Sequence, residues 1–216
     1  IFRVSADGRD KSKRINVYLK DDMALKIINV ESEKGEVIIS DLPFNASYGI
    51  KTGTSNVILS NLANAEKIMI SEAEQKKHSL KFEFDGLKSK EIDINCSLIE
   101  GSLKNSEFES LKLVYSEGNA DIKDITSTKL SINSEDGNTI VSGGKFSDIE
   151  GKVKDGSINV ELSRELELYQ INLLSETGLV KVNGENYDGS YSTATGDVGA
   201  IDITSISGNI ALSFIK

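Results

Sequence analysis

The single histidine and the single cysteine are the first residues to consider for catalysis, because each could act as a base, a nucleophile or a metal ligand. His78 lies in the polar stretch "EQKKHSL", and a Ser–His–acid triad or a histidine-based zinc site would have to use it. Cys96 follows Ile92 and Ile94 at the strand step of two, so we expect it to point inward and pack as a small core residue. We interpret His78 as a solvent-facing loop residue, and we predict no catalytic, metal-binding or cofactor-binding residues.

Carboxylates are numerous and could form an acid–base pair or bind Ca²⁺. Asp155 follows Asp136 by 19 residues and Glu117 precedes Asp136 by the same step, so the three become neighbours if the chain coils with that period. Further acidic candidates are Asp121, Asp124 and Asp148. Because Ca²⁺ takes about six or more oxygen ligands, we interpret these side chains as solvated corner residues. A polysaccharide lyase or hydrolase that uses them is the catalytic alternative.

The stretch "GSYSTATGD" at 189–197 is unusual in composition, since small polar residues surround a tyrosine and a second tyrosine precedes it. Tyrosine among small polar residues suits contact with a sugar or a protein. The candidate ligand contacts are therefore Tyr187, Tyr191, Thr193 and Thr195. A flexible excursion that caps the last units is the alternative interpretation.

An internal repeat defines the elements that would position these residues. In the N-terminal part apolar residues recur every 20 positions, in the ladders Val17/Val37/Val57, Leu19/Ile39/Leu59, Ile28/Tyr48/Ile68 and Val30/Ile50/Ile70. In the middle the step is 19, in the ladders Phe84/Leu103/Ile122/Val141/Val160 and Ile92/Leu111/Leu130/Ile149/Leu168. Inward positions come in pairs two apart, so each unit should hold two short strands joined by two turns. The best helix candidate, 63–78, contains two residues of these ladders and is therefore assigned to a strand.

A glycine stands two residues before the first inward side chain of many units, as in Gly35, Gly156 and Gly178, and Gly118, Gly137 and Gly156 recur at the step of 19. A chain that turns a corner into a strand needs a residue that tolerates positive φ, and glycine does so without steric cost. No helix follows these glycines, so a phosphate-binding loop is not indicated. The later glycines are Gly178, Gly196 and Gly208, and the shortened last interval predicts a truncated final unit.

Stacked units of this kind predict an all-β protein, a β-solenoid (a single-stranded β-helix or two-sheet β-roll) of about ten coils of roughly 19–20 residues. Residues 1–216 would form a single domain, with 1–14 as an N-terminal lead-in or cap and 184–216 as irregular C-terminal coils and cap. Antiparallel hairpins in a β-sandwich are the alternative fold. That alternative gives no reason for a constant unit length with ladders in register.

The formal charge of −9 argues against a nucleic-acid or anionic-membrane partner. The densest basic run, "DKSKR" at 10–14, is too short to change this average. One cysteine excludes an intrachain disulfide, and no stretch is apolar enough to insert into a membrane. The first residue is Ile1, and we expect a signal or an anchor upstream of it.

The residues "VKVNG" at 180–184, the excursion "ENYDGSYSTATGD" and "IDITSISGNIAL" at 201–212 resemble the ending of a bacterial adhesin-type family, a domain of unknown function. Asn209 stands where that family usually has Asp. The resemblance implies a non-catalytic, surface- or envelope-associated β-helical module for binding, adhesion or scaffolding. Its implied partners are a cell-wall glycan or an envelope protein, with an extracellular or envelope location. An envelope-stress sensory domain is a further alternative that rests on the resemblance alone.

Overall fold

The computed structural model describes residues 2–5, 25–43, 45–72, 79–194 and 196–215, and of 2–5 it describes the backbone alone. Apart from a 3₁₀ turn at Leu166–Leu168, its regular elements are strands. They are β1 (Phe2–Ser5), β2 (Ile27–Ser40), β3 (Ser47–Ser60), β4 (Ala65–Glu72), β5 (Ser79–Asp85), β6 (Lys88–Leu162), β7 (Tyr169–Ser175), β8 (Val180–Val182), β9 (Glu185–Tyr187), β10 (Ser190–Ser192), β11 (Gly199–Ser205) and β12 (Asn209–Phe214). Within the described ranges, no helix is long and apolar enough to cross a bilayer.

Except for β9 and β10, the strands stack in parallel as the coils of a β-solenoid, so the predicted fold is confirmed. Ile28 pairs with Tyr48 and Tyr48 with Ile68, which confirms the period of 20 in the first arm of each coil. In the second arm, beyond the corner, Val37 pairs with Val57. The described ladder residues of these arms are buried, except for the partly buried Val30, since their alternation places one face of each arm in the core. Val17 and Leu19 lie outside the described residues.

The long element β6 is a continuous run of extended backbone that winds through several coils. Its entry is in register, because Phe84 of β5 pairs with Leu103. Inside it, side chains 19 residues apart bond to each other: the Asn138 amide donates to Asn119 Oδ1 over 3.1 Å, and the Ser157 hydroxyl donates to Asn138 Oδ1 over 2.7 Å. The period of 19 is therefore confirmed, and antiparallel hairpins are excluded for this region.

Each coil also has a third buried segment, where the sequence pattern predicts a turn. This return segment follows the second arm and leads into the next coil. Its inward side chains are buried large apolar residues in most coils, namely Leu62, Leu87, Phe108, Ile125 and Phe146. The core is consequently lined by three segments per coil rather than by two facing arms.

The step between coils rises where β3 pairs with β5 and where β4 pairs with β6. Val57 pairs with Phe82, 25 residues later, and Ile68 pairs with Ile92, 24 residues later. The extra residues fall at 73–78, which lie outside the described part of the chain. Residues 65–72 form β4, so the strand assignment over the helix candidate is confirmed for that stretch.

The C-terminal coils do not stack in chain order, and here the sequence prediction was wrong. β11 lies between β6 and β7, with Ile201 paired to both Ile149 and Ile171. β12 likewise lies between β6 and β8, with Leu212 paired to Val160 and Val182. The last unit therefore has both arms and lies in the interior of the stack. We call β11 and β12, residues 199–214, the inserted coil.

Leu168 is not the next member of the Ile149 ladder, as its spacing of 19 suggested. It belongs to the 3₁₀ turn and is half-buried, while the inserted coil supplies Ile201 at that position. Ile201 is fully buried. A spacing rule that assumes chain order cannot find a coil that returns from 52 residues further along.

The corner glycines stack in one column, and two physical reasons favour glycine at these positions. Gly118 and Gly156 have φ of +117° and +150°, which agrees with the predicted positive φ. Gly137 does not share that φ, but a Cβ on it would lie 2.6 Å from the Gly118 carbonyl oxygen. Close approach of successive backbones therefore excludes a side chain even where φ does not demand glycine.

Candidate functional site

The glycine corner brings acidic side chains of successive coils together on the surface. Because Gly118, Gly137 and Gly156 stack, the residues before them, Glu117, Asp136 and Asp155, also stack, at the coil spacing of about 4.8 Å. All three are exposed. We call this the acidic column. The next coil in the stack continues it with Ser207, whose hydroxyl bonds to the Asp155 carboxylate.

A second column runs beside the acidic one, in the residues that follow the corner glycines. The Asn119 amide donates to Glu100 Oε2 over 3.0 Å and accepts from Asn138, which in turn accepts from Ser157. The inserted coil extends the column, because Asn209 is in register with Ser157. This amide column fixes its side chains relative to each other through charge-assisted and neutral hydrogen bonds.

The other acidic candidates are not brought together. Asp121 lies exposed on the second arm, and Asp124 lies at the following corner with φ of +53°. Asp148 accepts a hydrogen bond from the Ala200 backbone N–H over 3.0 Å. Within the described residues, no three His, Cys, Asp or Glu side chains come close enough to hold a metal ion.

Cys96 lies at the floor of a small surface hollow of about 190 Å³. The hollow is lined by Glu72, Asn95, Cys96, Ser97, Val114, Tyr115, Ser116, Asn133 and Glu135. Cys96 itself is only 3% exposed, and burial, with the nearby Glu72 charge, raises the pKa of its thiol to about 12. The thiol therefore stays protonated at neutral pH, which is the opposite of what a nucleophilic cysteine requires.

Glu72 is the last residue of β4, and its side chain bonds to the neighbouring coil. Its carboxylate accepts hydrogen bonds from the backbone N–H and the hydroxyl of Ser97. The Glu72 side chain thus supplies the hydrogen-bond acceptor for Ser97 in the neighbouring coil. This role was not found from the sequence, because it depends on an interruption in the repeat.

A small polar group lies inside the otherwise apolar core. The hydroxyls of Tyr115 and Thr139 are 2.6 Å apart, and Thr139 is fully buried. Burial raises the pKa of Tyr115, and its bond with Thr139 opposes that shift. The pair satisfies two hydroxyls in the core and so serves packing rather than chemistry.

The predicted ligand contacts lie at the end of the stack. Tyr187 and Tyr191 form an edge-to-face pair with ring centroids 4.7 Å apart, and both rings pack partly against the core. The Tyr187 hydroxyl donates to Glu185 Oε2 over 3.2 Å. The pKa of Tyr187 is raised, first by burial and then by its bond to Glu185. β9 and β10 pair antiparallel with β8 and β7, so this short hairpin region covers the last coil.

Thr193 uses its hydroxyl within the protein. It donates to the Tyr169 carbonyl over 3.1 Å and accepts from the Ile171 N–H over 2.9 Å. The side chain thereby joins the sheet next to β10 and has little capacity left for a ligand. Thr195, His78 and the basic run 10–14 lie outside the described residues.

A second corner with its own sequence rule was missed. This corner follows the second arm of the coil. Two residues after the last buried side chain of that arm, the backbone adopts the left-handed conformation in many coils, at Asp41, Asn61, Gly86, Asn105, Asp124 and Gly143. Asp and Asn tolerate this conformation better than other side chains do. They also bond between coils, since the Asn61 amide donates to Asp41 Oδ1 over 2.9 Å. The signal was present as Asp, Asn or Gly at a fixed offset, but attention to glycine alone hid it.

The comparisons with known proteins identify a family. The family model described as Toastrack DUF4097 matches residues 8–213. Neither the search of curated proteins nor the search of solved structures gave a significant match.

Proposed function

Because that match spans nearly the whole sequence, the chain belongs to the Toastrack DUF4097 family, and from this premise we propose that it is a non-catalytic binding or scaffold module of the cell surface or envelope. The observation that supports the proposal best is the pair of polar columns at the glycine corner. These columns present carboxylates and amides at a constant spacing of about 4.8 Å along an exposed, rigid edge. A surface of this kind suits an extended partner with a repeating structure.

Two described groups that could act as nucleophiles, the Cys96 thiol and the Thr193 hydroxyl, are buried or already hydrogen-bonded within the protein. The Cys96 thiol is buried and has a pKa of about 12, and the Thr193 hydroxyl is bonded to two backbone groups of β7. These arrangements support a binding role over a nucleophilic mechanism.

The partner we propose is a cell-wall glycan or an envelope protein that carries positive charge along its length. The acidic column and the net charge of −9 favour a cationic partner electrostatically. Association should weaken as ionic strength rises, because exposed charges are screened over about 8 Å at physiological salt.

Binding of the purified chain to immobilised cell-wall glycans and to envelope protein fractions tests the proposal. The variants Asp136→Asn and Asp155→Asn remove charge from the acidic column with little change in shape. Asp121→Asn is the matched control, since it removes an equally exposed charge from the second arm. We expect the column variants to bind more weakly and the control to bind like the parent. No binding by the parent, or equal loss in the control, would contradict the proposal.

A glycan-cleaving activity is the second candidate, because Asp136 and Asp155 lie in register on adjacent coils, with backbones about 4.8 Å apart, and retaining glycosidases hold two carboxyl groups about 5 Å apart. The same samples can be assayed for release of reducing ends or unsaturated sugars. Product formation that disappears in Asp136→Asn would favour an enzyme over a binding module.

A further inference from the structure

We propose that the inserted coil is exchangeable between two copies of this chain, so that the protein can assemble as a coil-swapped dimer. This proposal follows from the order of the coils in the stack. The coil that is last in the sequence lies between two coils that precede it in the sequence. Strand exchange of this kind joins copies without any new contact surface, because each contact of the closed monomer is repeated between molecules.

The backbone pairing of the inserted coil is made with segments distant in sequence. On one side, Ile206 and Ser207 donate backbone hydrogen bonds to Val153 and Lys154 of β6. On the other side, Glu176 and Thr177 donate to Ser205 and Ile206. None of these bonds depends on which molecule supplies the coil.

Its side chains complete the core in the same way. Four aliphatic residues of the inserted coil are at most 1% exposed: Ile201, Ile203, Ile210 and Leu212. They occupy the same ladders as the residues of the coils on either side. A coil from a second copy would fill these positions with identical side chains.

The connection into the inserted coil is the point at which exchange would occur. β10 and β11 lie on opposite sides of β7, so the connection between them, of which residues 193, 194 and 196–198 are described, crosses that strand. The crossing is held by Thr193 N–H to Ile171 and by Val198 N–H to Leu168, both over 2.9 Å. A Cβ on Gly196 would overlap the backbone of Tyr169, so the crossing runs in close contact with β7. In the exchanged form this crossing is released.

Cross-linking between two kinds of full-length chain tests the proposal. Asp202 and Asn172 are paired neighbours in β11 and β7, and their exposed side chains are joined by a hydrogen bond of 3.2 Å. In a Cys96→Ala background, one chain carries N172C and the other, of different tag size, carries D202C. The chains are unfolded together, refolded at high concentration and oxidised. We expect a disulfide-linked band at the summed mass of the two chains.

The control pair carries N119C on one chain and N138C on the other. These residues are also hydrogen-bonded neighbours, but they lie in consecutive coils of β6. We expect this pair to give little cross-linked product. A double variant with N172C and D202C in one chain should form its disulfide within the monomer, which shows that the fold is intact. If the mixed N172C and D202C chains then give no more product than the control pair, the proposal is overturned.

A change in the crossing provides a second test. Gly196→Ala places a methyl group against the Tyr169 backbone in the closed form, and the exchanged form relieves that contact. The dimer fraction after refolding, measured by size-exclusion chromatography, should therefore rise several-fold over the parent. A fraction that is unchanged or lower would contradict the proposal.

Discussion

The coils of β6 and the C-terminal coils share one geometry but reach it by different chain paths. In β6 each coil follows the previous one after 19 residues, and its neighbours in space are its neighbours in sequence. At the C-terminal end, β11 and β12 enter between strands that precede them by about one or two coils. The ladders and the corner columns nevertheless continue through the inserted coil. The position of a coil in the stack is therefore determined by its packing against the neighbouring coils and not by its order in the sequence.

The largest effect should come from a charge placed in the core of either region. Val141→Asp in β6 and Leu212→Asp in the inserted coil each bury an unpaired carboxylate, at a cost of about 4 kcal/mol or more. Val160→Asp, in register with Leu212, should behave alike. Urea denaturation followed by circular dichroism measures the loss.

Ile140→Asp is the matched control, since Ile140 adjoins Val141 but is 48% exposed. We expect it to change the unfolding free energy by no more than about 0.5 kcal/mol. A Leu212→Asp variant as stable as this control would show that the inserted coil is not part of the core.

A smaller effect should come from a methyl group in the corner column. In Gly208→Ala the Cβ would overlap the carbonyl oxygen of Gly156, so the inserted coil must shift, at about 1–3 kcal/mol. Hydrogen exchange should show loosening of β12 and β8 ahead of β6. Gly184→Ala has open space around its Cβ and a φ of +89°, so only a local conformational cost of about 1 kcal/mol is expected there.

Loss of one amide from the amide column should cost about 1 kcal/mol in either region. Asn138→Ala removes bonds with Asn119 and Ser157, while Asn209→Ala removes the acceptor of the Leu179 N–H. Thermal denaturation of both variants, with the exposed Asn186→Ala as control, measures the difference. If Asn209→Ala destabilises the protein far less than Asn138→Ala does, the amide column extends into the inserted coil in geometry but does not stabilise it there.

The smallest effect concerns thiol protection at equivalent positions of the two regions. Cys96 and Ser205 occupy the same inward column, one in the first coil of β6 and one in the inserted coil, and both are buried. Labelling with a maleimide should be equally slow for the parent and for the Cys96→Ala/Ser205→Cys chain. Faster labelling of the second chain would show that the inserted coil opens independently.

The pH dependence of the Cys96 thiol follows from the same burial. Its pKa in the folded chain is about 12, above the ordinary value of 9.0, so the protonated thiol is the form that the fold favours. Its contribution to stability is complete below pH 9 and is lost as the pH rises toward 12. Urea denaturation of the parent and of Cys96→Ala between these pH values measures the contribution.

Much of the fold could be predicted from periodicity, because each inward position of a coil must be apolar and must recur. Val37 and Val57 or Phe84 and Leu103 are partners that spacing alone identifies. The inserted coil could not be found this way, since a parallel strand pairs equally well from any distance along the chain. Leu168 shows the failure, because it has the correct spacing and lies in a turn.

The site was predicted only in part. The acidic column follows from the step of 19 between Asp136 and Asp155, and the inward position of Cys96 follows from its alternation with Ile94. The engagement of Thr193 with the backbone of β7 depends on the path of the hairpin region, which no local pattern encodes. The left-handed corner could have been found, had Asp and Asn been counted with Gly at the offset after each second arm.

The position of the inserted coil also constrains the order of events on the ribosome. Residues 169–192 leave the exit tunnel before residues 199–214, yet β7 and β8 pair with β11 and β12 on the side that faces β6. A nascent chain can therefore wind its coils one after another only as far as residue 162. The layers beyond that residue can reach their final pairing only after residue 214 has left the tunnel.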